Sequence, residues 1–275
     1  PEDFDELGLA GFLRGRATEF VRGRSISLPV PANADFVLEG VVPPGERRME
    51  GPFGDHYGHY SEASHFPVFH VKTVTRRRDA IYPGAVVGKP PQEDKWIGLA
   101  AGEMIGPLIR VVNPNIVDLF ASDDAVFHNL LTVSAKVRHP LESFKTALNL
   151  LGTGQLALTK CVVMVRHDVQ VRSFGRTLRE LWHRFDPRDR MLLLPIAPLD
   201  TLDYTSFEMH VGSKLVLDAT GEVVTTDSPP TAIEDPAAFD RRIGAHRVLE
   251  GGFVVVQVKS EPREVLEQLL RWEGL

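Results

Sequence analysis

The sequence predicts a mixed α+β and α/β chain, in which a β-rich N-terminal part is followed by an α/β domain. Within the first ninety residues, the runs at 25–30, 35–42 and 66–75 have strand-like patterns, and Gly, Pro and Asn separate them. Further along, the apolar run from Cys161 to Val165 is typical of a strand buried on both faces. Such a strand implies a sheet covered by helices.

The remaining elements follow from apolar periodicity and from the residues that end helices. We predict a first helix at 3–15, a shaped Gly- and Pro-rich loop at 41–58, a polar linker at 88–94 and a long helix at 95–112. Strands are expected at 127–137, 160–165, 191–194 and 252–258, helices at 141–151, 173–185 and 262–272, and a loop-rich stretch at 218–241. The predicted domains are a β-rich part at 1–92, a linker helix at 93–112 and an α/β domain with a terminal helix at 113–275.

The composition excludes several classes of function. The chain has 275 residues and a net charge of −6, which argues against a nucleic-acid partner. Its longest apolar runs fall far short of the ~20 residues that a membrane helix needs. The single cysteine rules out an internal disulfide and favours a reducing cytoplasm, so we expect a cytoplasmic protein that does not span a membrane.

The loop from Glu50 to Asp55 is the most informative feature for chemistry. Gly51, Pro52 and Gly54 lie between the two acids, and such residues give a loop an unusual but defined backbone. Two carboxyl groups directed at one pocket can divide the roles of proton donor and base. The alternative, a solvated turn in which both acids face water, stays open at this point.

Four histidines follow this loop, of which His56 and His59 have a spacing seen in metal sites. A histidine-based metallohydrolase would bind zinc in stoichiometric amount and no flavin, but no companion ligand pattern supports it. His56 is more simply a pocket residue. Glu6 is interpreted from spacing alone as a favourable charge near a helix N-terminus. The segment from Gly212 to Lys214 is predicted to be a turn, either ordinary or in contact with a phosphate, and lacks the first glycine of a P-loop.

Several of these motifs together resemble the UbiD family of decarboxylases. The residues from Glu50 to His56, with Gly58, are similar to the signature loop of that family. Further similar stretches are residues 6–15, 30–40, 66–69, 78–82, 197–200 and 212–220. The resemblance therefore extends over most of the chain, up to about Thr220.

The resemblance implies a fold and an activity. The expected fold is the end of a split-β-barrel flavin-binding domain followed by an α/β C-terminal domain. The expected reaction is the reversible, non-oxidative decarboxylation of an aromatic or α,β-unsaturated carboxylic acid. It uses prenylated FMN with Mn²⁺ (or Mg²⁺) and often K⁺. A cofactor agrees with the chemistry, because loss of CO₂ leaves a carbanion and no side chain supplies an electron sink.

The resemblance also implies roles for individual residues. Glu50 corresponds to the acid that orients a catalytic arginine, and Asp55 to the proton donor. Glu6 falls at the metal-ligating glutamate and is expected to contribute to cofactor binding, together with Val87 and Lys214. The residues expected to line the substrate, for which plain core packing is the alternative, are Ile97, Leu158, Ala197, Pro198 and Leu199.

The same resemblance places the catalytic arginine and two further metal ligands upstream of Pro1. We therefore expect a missing N-terminal segment or a companion chain to supply the arginine, and we expect this chain not to decarboxylate alone. Other expected partners are a flavin prenyltransferase as the source of the cofactor and further copies of the chain in a dimer or hexamer. The competing hypothesis is a non-catalytic assembly or regulatory subunit that keeps the UbiD fold.

Overall fold

The computed structural model describes residues 5–126, 129–204 and 208–271. The chain forms two compact units, Pro1–Glu93 and Asp94–Leu275. Each unit has its own secondary structure and is described by itself.

Unit 1 begins with helix α1 (Glu6–Arg14). The side chain of Asp5 caps it by accepting hydrogen bonds from the backbone N–H groups of Leu7 and Gly8, at 3.1 and 2.9 Å. Gly15 ends it in the left-handed conformation, with φ of 67°. The predicted first helix and its glycine stop are thus confirmed, although residues 3 and 4 lie outside the described residues.

The rest of unit 1 consists of short strands in three two-stranded antiparallel ladders, in which β1 pairs with β2, β3 with β6 and β4 with β5. Within residues 5–93 these ladders do not close into a barrel. The strands are β1 (Phe20–Arg22), β2 (Pro29–Pro31), β3 (Phe36–Val41), β4 (Arg47–Glu50), β5 (Ser64–Pro67) and β6 (His70–Arg76).

Three predictions for unit 1 need correction. The strand expected at 25–30 starts only at Pro29, because a carboxylate binds the preceding backbone. The single strand expected at 66–75 is two strands, since β5 and β6 pair with different partners. The loop expected at 41–58 contains β4.

The buried carboxylate of Glu39 holds the loop between β1 and β2. It accepts hydrogen bonds from the backbone N–H groups of Arg24, Ser25 and Ile26, at 2.9, 2.6 and 3.1 Å. These bonds, with one from the Ser25 hydroxyl, lower the pKa of Glu39 to about 2. The loop therefore depends on the charged form of this side chain.

Unit 2 is an α/β domain built on one five-stranded sheet. Its first element is the long helix, which starts at Glu93, the last residue of unit 1. The elements are α2 (Glu93–Val112), β7 (Ile116–Ala121), β8 (Leu130–Ala135), α3 (Glu142–Leu151), β9 (Cys161–Arg166), α4 (Phe174–Arg184), β10 (Met191–Pro198), β11 (Val211–Ala219), α5 (Pro236–Phe239), β12 (Ile243–Val248), β13 (Val254–Val258) and α6 (Pro262–Leu269).

The sheet has the strand order β10-β11-β9-β8-β7. Its three central strands are parallel, and the edge strands β10 and β7 run antiparallel to their neighbours. Alternate side chains of β9 enter two different cores. Met164 packs with Leu150 of α3, and Val163 packs with Leu178 of α4. The predicted central strand, buried on both faces and covered by helices, is confirmed.

The structure also corrects several predictions for unit 2. Strands β7, β11 and β12 are additions to the predicted elements, and the strand expected at 191–194 continues to Pro198. The predicted turn from Gly212 to Lys214 is wrong, because these residues lie inside β11, where Gly212 and Lys214 pair with β10. Phe127 and Trp272, at the ends of a predicted strand and helix, lie outside the described residues. In the described parts of the chain, no helix is both long and apolar enough to cross a membrane.

We predict that Leu150→Ala lowers the free energy of unfolding of unit 2 by about 2–5 kcal/mol, because Leu150 is fully buried beneath the sheet and its truncation leaves a cavity. Leu148→Ala on the same helix, where the side chain is 44% exposed, is the matched control and changes it by about 0.5 kcal/mol or less. Urea unfolding monitored by circular dichroism measures both. Equal effects of the two variants would contradict the assigned core.

We also predict that the stabilising effect of Glu39 depends on pH. Its pKa in the folded chain, about 2, lies below the ordinary value of 4.5, so the unfolded chain binds the proton more tightly. The contribution to stability is complete above pH 4.5 and is lost as the pH falls toward 2. The melting temperature of Glu39→Gln should therefore lie below that of the natural chain at neutral pH and converge with it in acid. Glu19→Gln, at an exposed position, should show no such convergence.

Candidate active site

The loop between β4 and β5 is an ordered extension of that hairpin. Glu50 is the last residue of β4 and pairs with Ser64. Beyond it, the N–H of Ser61 donates to the carbonyl of Phe53 at 2.8 Å, and the N–H of Asp55 donates to the carbonyl of His59 at 3.1 Å. Asp55 consequently lies at the tip of a second, narrower hairpin.

Two glycines make this shape possible. Gly51 has φ of +91°, and a Cβ added to it would lie 3.0 Å from the carbonyl oxygen of Glu62. Gly58 has φ of +84°, and a Cβ there would lie 2.7 Å from Cα of Lys89. Side chains are disfavoured at both positions by conformation and by space. Gly54 has neither restriction.

The Asp55 carboxyl group is sheltered and bonded to its neighbour. Its Oδ1 accepts the backbone N–H of His56 at 2.7 Å and lies 2.6 Å from Nδ1 of the same imidazole. The side chains of Asp55 and His56 are only 16% and 19% exposed. Glu50, by contrast, is exposed at the end of its strand. A turn in which both acids face water therefore does not describe Asp55.

The histidines that follow the loop are dispersed. His70 Nε2 lies 2.6 Å from a carboxylate oxygen of Glu46, and Nδ1 of His59 lies 3.3 Å from the carbonyl oxygen of Tyr60. Over residues 5–126, 129–204 and 208–271, no group of three or more His, Cys, Asp or Glu side chains could hold a metal ion. The histidine-based metal site thus has no structural support.

Glu6 lies in the first turn of α1 with its side chain exposed. At this position its negative charge interacts favourably with the helix N-terminus. Its role as a metal ligand stays a prediction that requires further donors. Val87, the second predicted cofactor contact, is 44% exposed in a segment without regular structure.

The predicted substrate-lining residues of unit 2 differ in their burial. Ile97 on α2 is 59% exposed, and Pro198 at the end of β10 is also exposed. Leu158 is half-buried at the end of a 3₁₀ helix, Gly154–Leu158. Ala197 and Leu199 are buried, which agrees equally well with core packing.

Lys214, predicted to contact the cofactor, is buried within β11. Its ammonium donates hydrogen bonds to the carbonyl oxygens of Ala157 and Thr159, both at 2.7 Å. Burial lowers the pKa of Lys214, an effect that the nearby Asp203 carboxylate opposes. These bonds give Lys214 a structural role, and cofactor binding stays a prediction.

Sequence reasoning missed the ion pair beside it. Lys160 Nζ lies 2.7 Å from Oδ2 of Asp203, whose side chain is almost fully buried. The available signal was Lys214 itself, because a lysine within an apolar strand needs buried polar partners. The positions of those partners depend on chain segments that are distant in sequence.

Two family models match the chain. The 3-octaprenyl-4-hydroxybenzoate carboxy-lyase Rift-related domain matches residues 1–90, and the C-terminal domain of the same carboxy-lyase matches residues 95–219. Among curated proteins, the chain is 41% identical over 220 residues to a protein of Archaeoglobus fulgidus. It is 38% identical over 224 residues to a 4-hydroxybenzoate decarboxylase subunit of Chlamydia pneumoniae.

These alignments include 80% and 82% of this chain but only 46% and 38% of the two relatives. The chain thus spans about half the length, or less, of the curated relatives it matches.

Solved structures show the same fold. One is vanillic acid decarboxylase of Sedimentibacter hydroxybenzoicus in its closed form, with a TM-score of 0.71, 24% identity and coverage of 95% of this chain and 52% of that chain. Another is an evolved dimeric form of a UbiD-class enzyme of Pelotomaculum thermopropionicum in complex with prFMN, with a TM-score of 0.62, 22% identity and coverage of 82% and 49%. The mixed α+β fold agrees with both. Since the two family models together match most of the chain, it belongs to the UbiD family.

Proposed function

We propose that this chain is the part of a prenylated-FMN-dependent decarboxylase that carries the proton donor and the substrate wall. The enzyme would remove CO₂, reversibly, from an aromatic or α,β-unsaturated carboxylic acid. The observation that carries the proposal is the sheltered Asp55 carboxyl group, held at the tip of an ordered hairpin in a chain of the UbiD family. Two of the similar proteins are named as decarboxylases of 4-hydroxybenzoate and of vanillic acid, and these names support an aromatic substrate.

The described residues contribute two contacts to the proposed cofactor site. Glu6 and Val87 are exposed and are the residues that would contact bound prenylated FMN. The cofactor, when bound, supplies the electron sink that decarboxylation requires. The described residues do not fit a metal ion by themselves, so no role in the reaction is assigned to Mn²⁺, Mg²⁺ or K⁺ here.

Asp55 is suited to deliver a proton to the carbon that loses CO₂. Both bonds from His56 end on Oδ1, so Oδ2 would be the oxygen that delivers the proton. The protonated acid donates to carbon, becomes a carboxylate and is reprotonated before the next turnover. The partly buried surroundings keep bulk water from competing for this step.

Glu50 would act on a different group. Its exposed carboxylate at the end of β4 can accept hydrogen bonds from a guanidinium and fix its orientation. We propose that this arginine belongs to an upstream segment or to a companion chain, and that a flavin prenyltransferase supplies the cofactor. A dimer or hexamer of the chain is proposed on the same family grounds.

We predict that Asp55→Asn lowers kcat by about 10²–10⁴-fold, because the amide cannot donate the proton. The assay uses the assembly that includes the arginine-bearing polypeptide, loaded with prenylated FMN, and measures CO₂ release from 4-hydroxybenzoate and vanillate. The flavin content, from absorbance and mass spectrometry, should be unchanged. Asp124→Asn, at an exposed position of unit 2, is the matched control and should retain full activity.

Other outcomes would point to the competing functions. Undiminished turnover by Asp55→Asn would indicate a non-catalytic assembly or regulatory subunit. Stoichiometric zinc in a preparation that binds no flavin would indicate the histidine-based metallohydrolase.

We further predict that Gly51→Ala lowers kcat by about tenfold to a hundredfold, because a side chain at this positive φ displaces the hairpin that carries Asp55. Gly54→Ala lies in the same loop, where an added Cβ meets nothing within 4 Å, and should leave kcat within about twofold. Steady-state kinetics of the same assembly measures both. Similar activity of the two variants would show that the loop geometry does not position the acid.

A further inference from the structure

The two segments that carry predicted substrate-lining residues in the sheet region lie at one edge of the sheet. This edge contains the start of β11, the start of β9 and the end of the antiparallel strand β10. The 3₁₀ helix with Leu158 leads directly into β9. Ala197 and Pro198 end β10, and Leu199 follows them.

Strand β11 holds the Ala197–Leu199 segment through its backbone. Ala197 pairs with Gly212. The N–H of Leu199 donates to the carbonyl of His210 at 2.9 Å. Because β11 is also hydrogen-bonded to β9 on its other side, it holds this segment in a fixed position relative to the sheet.

The same strand holds the Leu158 segment through one side chain. The two carbonyl groups that bind the Lys214 ammonium belong to Ala157 and Thr159, the residues immediately before and after Leu158. Lys214 is only 2% exposed, so both bonds are made away from water, where an unpaired carbonyl is costly. The ammonium therefore fixes the backbone on both sides of Leu158.

The Lys160–Asp203 ion pair adds a direct link between the two segments. Lys160 follows the Leu158 segment, and Asp203 lies shortly after Leu199, so this 2.7 Å contact joins the two segments directly. The same Asp203 carboxylate raises the pKa of Lys214, against the larger effect of burial, and so favours its charged form.

We propose that Lys214 is a positioning residue for substrate selection: by binding the carbonyls of Ala157 and Thr159 it fixes Leu158 relative to Ala197 and Leu199. The role in substrate selection rests on the proposed function, in which Leu158 contacts the bound acid. The inference assigns to Lys214 a contact with the protein backbone in place of a contact with the cofactor.

The test compares Lys214→Met with Lys145→Met. The first substitution keeps the aliphatic stem and removes the donors, and the second does the same at an exposed position of α3. Lys214→Arg keeps the charge and the donors and should restore part of the effect. If Lys214→Met fails to fold, Lys214→Gln, which keeps a donor for one carbonyl, carries the same test.

The first measurement is amide hydrogen exchange in the chain, which needs no activity. We expect exchange at Leu156 and Thr159, whose N–H groups close the 3₁₀ helix, to become about tenfold faster in Lys214→Met and to stay unchanged in Lys145→Met. The second is steady-state kinetics of the loaded assembly. We expect KM to rise about tenfold, with a larger rise for the bulkier of two acids, at unchanged flavin content.

The outcomes separate the inference from the proposed function. Unchanged exchange in Lys214→Met overturns the inference. If that variant also loses flavin, the result indicates that Lys214 is a cofactor ligand instead. Faster exchange with unaltered KM for both acids overturns the substrate role. If the natural assembly decarboxylates no acid while exchange still becomes faster, the proposed function fails and only the backbone contact of Lys214 stands.

Discussion

Unit 2 depends on one constraint, the burial of β9 on both faces. Its alternate side chains require two separate apolar layers, which α3 and α4 supply. A parallel neighbour on each side completes its hydrogen bonds, and these neighbours are β8 and β11. The antiparallel strands then fall at the edges, and the ends of β9, β10 and β11 meet where the predicted substrate-lining residues lie.

Buried charges fix neighbouring segments within each of the two units. Glu39 binds three backbone N–H groups in unit 1, and Lys214 binds two carbonyls in unit 2. Asp218, fully buried at the far end of β11, accepts hydrogen bonds from Ser143 of α3 at 2.7 Å and from Arg190 at 3.0 Å. In each case hydrogen bonds compensate a charge removed from water, and for Glu39 and Lys214 they also hold an irregular backbone segment.

Backbone hydrogen bonds and glycines also fix the hairpin loop that carries the proposed proton donor. The backbone bonds between Phe53, Ser61, Asp55 and His59 fix the tip, and the left-handed glycines allow the chain to turn there. Asp55 can then lie in a sheltered position without being part of a core. Glu50, five residues earlier, remains exposed and is free to meet a group from outside the described chain.

The sequence by itself determined the fold class, the central strand, the first helix with its glycine stop and the family, because apolar periodicity, capping residues and short motifs are local properties. It also singled out Glu50 and Asp55 by residue type and spacing. It did not locate β7, β11 or β12. It interpreted Gly212–Lys214 as a turn, because a glycine, a serine and a lysine are poor local signals for a strand.

The tertiary structure decided the partners of the buried charges. Lys214 donates hydrogen bonds to carbonyl groups more than fifty residues away in the sequence. Glu39 accepts them from backbone N–H groups that lie thirteen to fifteen residues before it. Such pairings depend on the path of the whole chain and on the cost of leaving a buried polar group unpaired, which no local pattern records.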